Sequence, residues 1–85
     1  MQEKWEVTEL TVEHVRAARG LLKWTQEELA SRSGVAGATI NLWENGKSRP
    51  TDLTNQQIGL AFERVGVEYK DGDKPGVRCQ RDLVV

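Results

Sequence analysis

The sequence predicts a mainly α fold, four helices closed by a C-terminal β-hairpin, and three observations carry that prediction. Apolar residues recur at intervals of three and four through much of the stretch from Val12 to Arg64, the period of helices with one buried face. Capping and terminating residues cut that stretch into four pieces, the second and third separated by only about three residues. After Gly66 the period drops to two. Val67 and Tyr69 alternate with Glu68 and Lys70, then Val77 and Cys79 with Arg78 and Gln80, the pattern of a hairpin with one apolar face.

Residues 1–10 read as an N-terminal arm. Within it "KWEVT" (4–8) alternates loosely with Trp5 and Val7 on one side, a short strand or an ordered arm. Thr11 is the expected N-cap of the first helix, because its hydroxyl can accept an orphan backbone N–H. Leu10 and Val15 stand at the spacing of a hydrophobic staple, and Val15, Ala18 and Leu22 continue the stripe, so this helix spans 12–22. Gly20 weakens its last turn, and His14 falls on its polar side, where solvation is expected.

The second helix has the best start signal. In "KWTQEELA", Thr25 and Glu28 have the spacing of a capping box, and Trp24 and Leu29 that of a second staple. Glu27 and Glu28 in the first turn suit the helix dipole. The helix ends near Ser33, with Gly34 supplying a left-handed turn. A third helix is expected over 37–44, with Ile40 and Trp43 inward and Asn45-Gly46 as its stop. Ala36 stands at its cap position, and a missing cap costs about 1 kcal/mol. "KSRPTDLT" reads as a loop. Thr54 with Gln57 has capping-box spacing, and Ile58, Ala61, Phe62 and Val65 form a stripe, so the fourth helix is expected over 55–64. "DGDKPG" is turn chemistry joining the strands of a hairpin over 67–80, packed on or extending the same domain, and 81–85 form a frayed tail.

At 85 residues, with 38% hydrophobic and 29% charged side chains, the chain is sized and balanced for one small globular domain rather than a disordered segment. No apolar run approaches the ~20 residues of a membrane span, and the N-terminus lacks the basic start and apolar block of a signal peptide. Cys79 is the single cysteine, so no internal disulfide forms, which points to the cytoplasm. One histidine, no metal-ligand spacing, no Ser-His-Asp set and no Gly-rich phosphate loop leave nothing for an enzyme, a metal or a cofactor to work with. The net charge of −1 cautions against nucleic-acid binding. Its distribution is more permissive. Residues 1–34 and 51–85 each hold five basic and six acidic side chains, while the piece between them, with Lys47 and Arg49 against Glu44, is net positive.

The tight joint between the second and third helices is the most specific feature. Gln26, Ala30, Gly34, Ile40 and Trp43 stand at the intervals of a helix-turn-helix. Ala30 must be small where the third helix crosses, Gly34 takes a backbone conformation that a Cβ resists, and Leu29, Val35, Ile40 and Trp43 fill the crossing.

Residues 11–66 resemble the phage-repressor-like (XRE or Cro type) helix-turn-helix domains of bacteria and phages. "VRAARGLLKWTQEELASRSGV", "ATINLWENGKSRP" and "IGLAFERVGVEY" carry the resemblance. The ending "GVEYKDGDKPGVR" resembles a small bacterial subgroup that closes with a hairpin where other members have a fifth helix. The resemblance implies a four-helix lambda-repressor-like DNA-binding domain with a C-terminal β-hairpin. It implies a transcriptional repressor that places its third helix in the major groove of double-stranded DNA. A homodimer is expected because one copy offers few contacts and the edge of the hairpin could pair with a second copy, and no membrane or small-molecule ligand is evident. By the same resemblance Thr25 and Gln26 meet one phosphate, Asn45, Gly46 and Lys47 another, and Arg49 the backbone or the minor groove. Gly37, Ala38, Asn41 and Leu42 face outward with Thr39 at the edge, and Arg19 and Glu44 form an internal ion pair.

Side-chain chemistry makes that reader set thin. Asn41 suits a bidentate contact to adenine, Thr39 adds a hydroxyl, and Ala38 or Leu42 packs on a thymine methyl. Gly37 offers only backbone. The apolar Ala38 and Leu42 and the net charge also fit a rival, a protein-interaction module on the same scaffold, such as an antitoxin-like partner.

Overall fold

Three of the four helices begin where a hydroxyl takes up an orphan backbone N–H, and the third in chain order begins with no side-chain cap. The structure, a computed structural model, describes residues 10–70 and 76–79. The expected strand at 4–8, the turn at 71–75 and the tail at 81–85 lie outside them. Helix α1 spans Val12–Leu22, α2 Gln26–Ser33, α3 Gly37–Glu44 and α4 Asp52–Glu63, followed by strands β1 (Val67–Lys70) and β2 (Gly76–Cys79). The architecture is the mainly helical one expected, four helices and an antiparallel hairpin.

Thr11 caps α1 by accepting the N–H of His14 at 3.2 Å. The reciprocal bond, usually made by Glu or Gln at this position, is made by an imidazole: the Thr11 N–H donates to His14 Nδ1 at 3.2 Å. His14 is therefore not on a solvated face, as the helical period suggests, but 2% exposed. Its Nε2 meets the Lys70 carbonyl at 3.1 Å, and its ring packs edge-on to Tyr69. A carbonyl only accepts, so the hydrogen sits on Nε2 and leaves Nδ1 to accept from Thr11. The hairpin covers what the period of α1 marks as its polar side. At the other end of α1, Lys23 adopts a left-handed conformation (φ 59°) and its N–H meets the carbonyls of Arg19 and Gly20. That conformation costs a non-glycine residue about 1 kcal/mol.

At α2, Thr25 accepts the Glu28 N–H at 3.0 Å. Only that half of the expected capping box forms, because the Glu28 carboxylate turns to Arg32, 3.4 Å away. Gly34 ends α2 in the left-handed region (φ 77°). Helix α3 has no side-chain cap at Ala36, as its sequence implies.

Helix α4 starts three residues earlier than its sequence signal. Thr51, not Thr54, is the cap, and it accepts the N–H of Thr54 at 3.1 Å. Two hydroxyls three residues apart give the same local signal, and a distant contact separates them. Starting at Asp52 brings Asn55 into the helix against the chain before α1. There its side chain donates to the Leu10 carbonyl and accepts the Leu10 N–H, both at 3.2 Å. Asp52 then falls in the first turn, where the dipole favours it. The helix closes at Glu63 rather than Arg64.

The core is centred on Phe62, which is fully buried with Leu29, Ile40, Ile58 and Val15. Trp24 stacks on Phe62 at 5.6 Å between ring centroids, Tyr69 meets it edge-on at 6.3 Å, and the Arg32 guanidinium lies 4.5 Å over Trp24. The hairpin register pairs Val67 with Cys79 and Tyr69 with Val77, which puts its apolar side chains on one face. Glu68 and Arg78, opposite each other on the other face, form an ion pair at 2.7 Å.

The assignment of the α4 cap has a direct check. Thr51→Ala is expected to lower stability by about 1 kcal/mol, and Thr54→Ala by much less. Urea denaturation of both variants measures the difference, and the reverse order would restore Thr54 as the cap.

Candidate nucleic-acid interface

The second and third helices are set by their joint. Gly34 turns the chain, Val35 buries, and α3 crosses α2 so closely that a Cβ placed on Gly37 would lie 3.9 Å from Ala30 Cβ. Ile40 (fully buried) and Trp43 point inward. The helical period then turns Ala38, Asn41 and Leu42 out, and all three are exposed, Leu42 at 44%. Gly37 and Thr39 lie part-buried at the edges of that face.

The C-terminal turn of α3 is held by Arg19. Its Nε donates to Glu44 Oε2 at 2.7 Å and a terminal nitrogen to Oε1 at 2.6 Å. The other terminal nitrogen donates to the Trp24 carbonyl at 2.9 Å. The pair is shielded, with the Glu44 side chain 5% exposed and Arg19 20%. Burial pushes the Glu44 carboxyl up, but hydrogen bonds from Arg19 and Gln26 and the charges of Arg19 and Arg16 outweigh it and hold the group below the usual carboxylate range. The Glu44 hydrogen bond holds Arg19 above its ordinary value against the opposing effect of burial.

From this pair a file of amides runs outward. Gln26 Nε2 donates to Glu44 Oε1 at 3.3 Å, and Asn41 Nδ2 donates to Gln26 Oε1 at 3.2 Å. Asn45 Nδ2 donates to Asn41 Oδ1 at 3.2 Å and to the Asn41 carbonyl at 2.9 Å. Gln26, Asn41 and Asn45 are thus neighbours on one edge of the α2–α3 surface. The family resemblance implied a role for Gln26 and Asn45 and side-chain chemistry one for Asn41, but their contact depends on the crossing and has no signal in the spacing.

Thr25 is exposed, its hydroxyl engaged by the Glu28 N–H. Gly46 is left-handed (φ 71°), and its amide and that of Lys47 return to the carbonyls of Trp43 and Leu42 at 3.0 and 2.8 Å. Lys47 and Arg49 are exposed on the loop beyond, where they line an open groove with Thr11, Val12, Glu13 and Trp43. Among the described residues no group of three or more His, Cys, Asp or Glu is arranged to hold a metal. No helix there is long and apolar enough to cross a membrane.

A helix-turn-helix family model (HTH_3) matches residues 15–65, the span from the core of α1 to the turn after α4. No curated protein matches the chain.

The depressed Glu44 value fixes the sign of a pH effect. A carboxyl more acidic in the folded chain than in the unfolded one stabilises above its ordinary value of 4.5 and loses that contribution as the pH falls through the folded value. Glu44→Gln is therefore expected to cost roughly 3 kcal/mol near neutral pH, where it strands Arg19. The gap to wild type is expected to narrow as the pH falls below that ordinary value and through the lower, folded one. Urea midpoints across that range check it, and a gap of constant size would assign the cost to packing alone.

Proposed function

The chain belongs to the helix-turn-helix family of DNA-binding regulators, and from that premise we propose a sequence-specific transcriptional repressor of the cytoplasm. In this reading α3 seats in the major groove of double-stranded DNA and the chain acts as a homodimer on a two-fold site. The observation that carries the reading is the outward face of α3. A helix of eight residues stands clear of its own subunit along Ala38, Asn41 and Leu42, flanked at one end by the start of α2 and at the other by the Lys47 loop.

Each flank has a phosphate-binding chemistry. The amides of Gln26 and Glu27 open α2 and, by position, have no partner within the helix, a setting that attracts phosphate beside Thr25 and the Gln26 side chain. On the other side the Gly46 and Lys47 amides are already spent on α3 carbonyls. The two Asn45 amide hydrogens are likewise directed at Asn41, so phosphate binding there falls to the Lys47 ammonium. Arg49 extends the same side toward the backbone or the minor groove. Between the flanks, Asn41 reads adenine through its paired donor and acceptor, Thr39 adds a hydroxyl, and Ala38 and Leu42 pack on thymine methyls, with Gly37 admitting close backbone approach. One bidentate contact discriminates by roughly 1–3 kcal/mol, so useful specificity draws on a second copy and on DNA shape. An edge of the hairpin is the surface on which this reading pairs a second copy. The reading involves no catalysis and no cofactor.

The exposed Leu42 supports a second reading, a protein-interaction module with an antitoxin-like partner on the α3 face. Salt separates the two. Binding of random duplex DNA, followed by fluorescence anisotropy, is expected to fall linearly on a log–log plot against salt. Lys47→Ala and Arg49→Ala are each expected to weaken all sequences alike and to reduce the slope by about one. Negligible binding at physiological salt would favour the second reading.

The apolar readers are testable separately. Sites selected from a random pool are expected to be two-fold symmetric. In them, replacing the contacted thymine by deoxyuridine removes one methyl, worth about 0.8 kcal/mol or about fourfold in affinity. Leu42→Ala is expected to abolish that difference. A variant that still distinguishes thymine from deoxyuridine would remove Leu42 from the readout.

A further inference from the structure

We propose that Gln26 is a positioning residue for base readout: it transmits the hydrogen-bond polarity of the Arg19–Glu44 pair to Asn41 and so sets which amide atoms Asn41 presents to DNA. The proposal rests on the reading that α3 enters the major groove.

An asparagine amide has nearly the same shape in either of two orientations related by a half-turn, yet the two exchange donor and acceptor. On a groove-facing helix they are two different readers. Adenine presents an acceptor at N7 and a donor at N6, and a carboxamide matches that pair in one sense only. Asn41 is exposed, and a solvated amide at such a position samples both. Here the choice is constrained from both ends.

Glu44 is held ionised by Arg19, and an ionised carboxylate only accepts. The Gln26 atom that meets it at 3.3 Å must therefore be the NH₂ group. That turns Gln26 Oε1 outward, and an oxygen can be met only by a donor, so Asn41 directs Nδ2 to it at 3.2 Å. Asn41 Oδ1 then faces the Asn45 amide at 3.2 Å. The sense of Asn45 is fixed independently, because its Nδ2 also donates to the Asn41 main-chain carbonyl at 2.9 Å, a group that cannot donate. The two ends agree. Turning Asn41 over sets donor against donor at Asn45 and acceptor against acceptor at Gln26. In the allowed sense Asn41 keeps one N–H and one oxygen lone pair uncommitted, the complement a bidentate base contact uses.

This role is separable from that of a phosphate contact. A residue that only anchors phosphate changes affinity for every sequence equally. A residue that orients Asn41 changes the preference at the one base pair Asn41 reads.

The test uses the full chain and the oligonucleotide it selects from a random pool, with four versions of the base pair whose identity ceases to matter in Asn41→Ala. Gln26→Ala, and Gln26→Met as a variant that keeps side-chain length, are expected to collapse the preference at that same base pair by about tenfold. The double variant Gln26→Ala with Asn41→Ala is expected to be no less selective there than Asn41→Ala alone. Retained preference with uniformly weaker binding, or effects that multiply, would overturn the proposal. A readout without DNA keeps the relay distinct from its premise. In the unbound chain the Asn41 side-chain amide resonances are expected to shift and to lose protection from exchange in Gln26→Met, with helicity unchanged. Resonances that do not move would overturn the relay itself. Resonances that move in a chain that binds no duplex would overturn the proposal through the groove-binding reading and leave the relay as a structural feature only.

Discussion

The fold and its candidate interface both depend on the bidentate pair between Arg19 and Glu44. Helix α3 is eight residues long and has no side-chain cap, too short to persist by its own propensity. It also ends in a carboxylate, which the negative end of a helix dipole disfavours. Arg19 reverses that penalty by supplying a rigid two-pronged donor, and its third contact, to the Trp24 carbonyl, ties the same guanidinium to the link between α1 and α2. Three helices thus meet at one charge. With Glu44 held inward, Ile40 and Trp43 follow on the buried side, and the period of α3 leaves Ala38, Asn41 and Leu42 facing out. The rotation of the exposed face is a consequence of the ion pair and of the apolar crossing together.

Charge is arranged more favourably for an acidic ligand than the total of −1 suggests. Glu27 and Glu28 at the start of α2 stand close to where phosphate docks in the proposed reading, but Glu28 is paired with Arg32, which is itself laid over Trp24. On the far side of α3 the loop carries Lys47 and Arg49. Glu44, the one acid in this central segment, has its charge taken up internally by Arg19. The field at the α2–α3 face is therefore set by pairing as much as by composition. The same economy applies to readout. Few polar side chains reach outward from α3, so in the proposed reading much rests on the sense of the Asn41 amide.

Much of the fold was legible because helix ends are local decisions. Thr11, Thr25 and Gly34 act within four residues of themselves, and the limits of α1, α2 and α3 follow from them. The failures share a cause. Thr51 and Thr54 are equivalent as caps until Asn55 finds Leu10, 45 residues away in sequence. His14 reads as solvated until the hairpin, 56 residues on, supplies the Lys70 carbonyl. Lys23 gives no sign of its left-handed conformation, because the glycine of this segment, Gly20, lies inside the helix. At the interface, the family resemblance named most of the candidates one by one, and side-chain chemistry singled out Asn41. The hydrogen bond between Gln26 and Asn41 joins positions brought together only by the crossing, and no periodicity within either helix encodes it.

The same logic explains why α1, which the proposed reading keeps off the DNA, has a say in the interface. His14 joins its first turn to the end of β1, and Arg19, five residues later, joins its second half to the end of α3. A helix is stiff over this distance, so the hairpin and the candidate reading helix are referenced to one rigid element rather than to each other. Cys79 closes the same arrangement from β2, its thiol directed at the Val65 carbonyl at 3.3 Å in the turn that ends α4. The hairpin is thus fastened to the first and the last helix, on contacts that leave the outward face of α3 untouched.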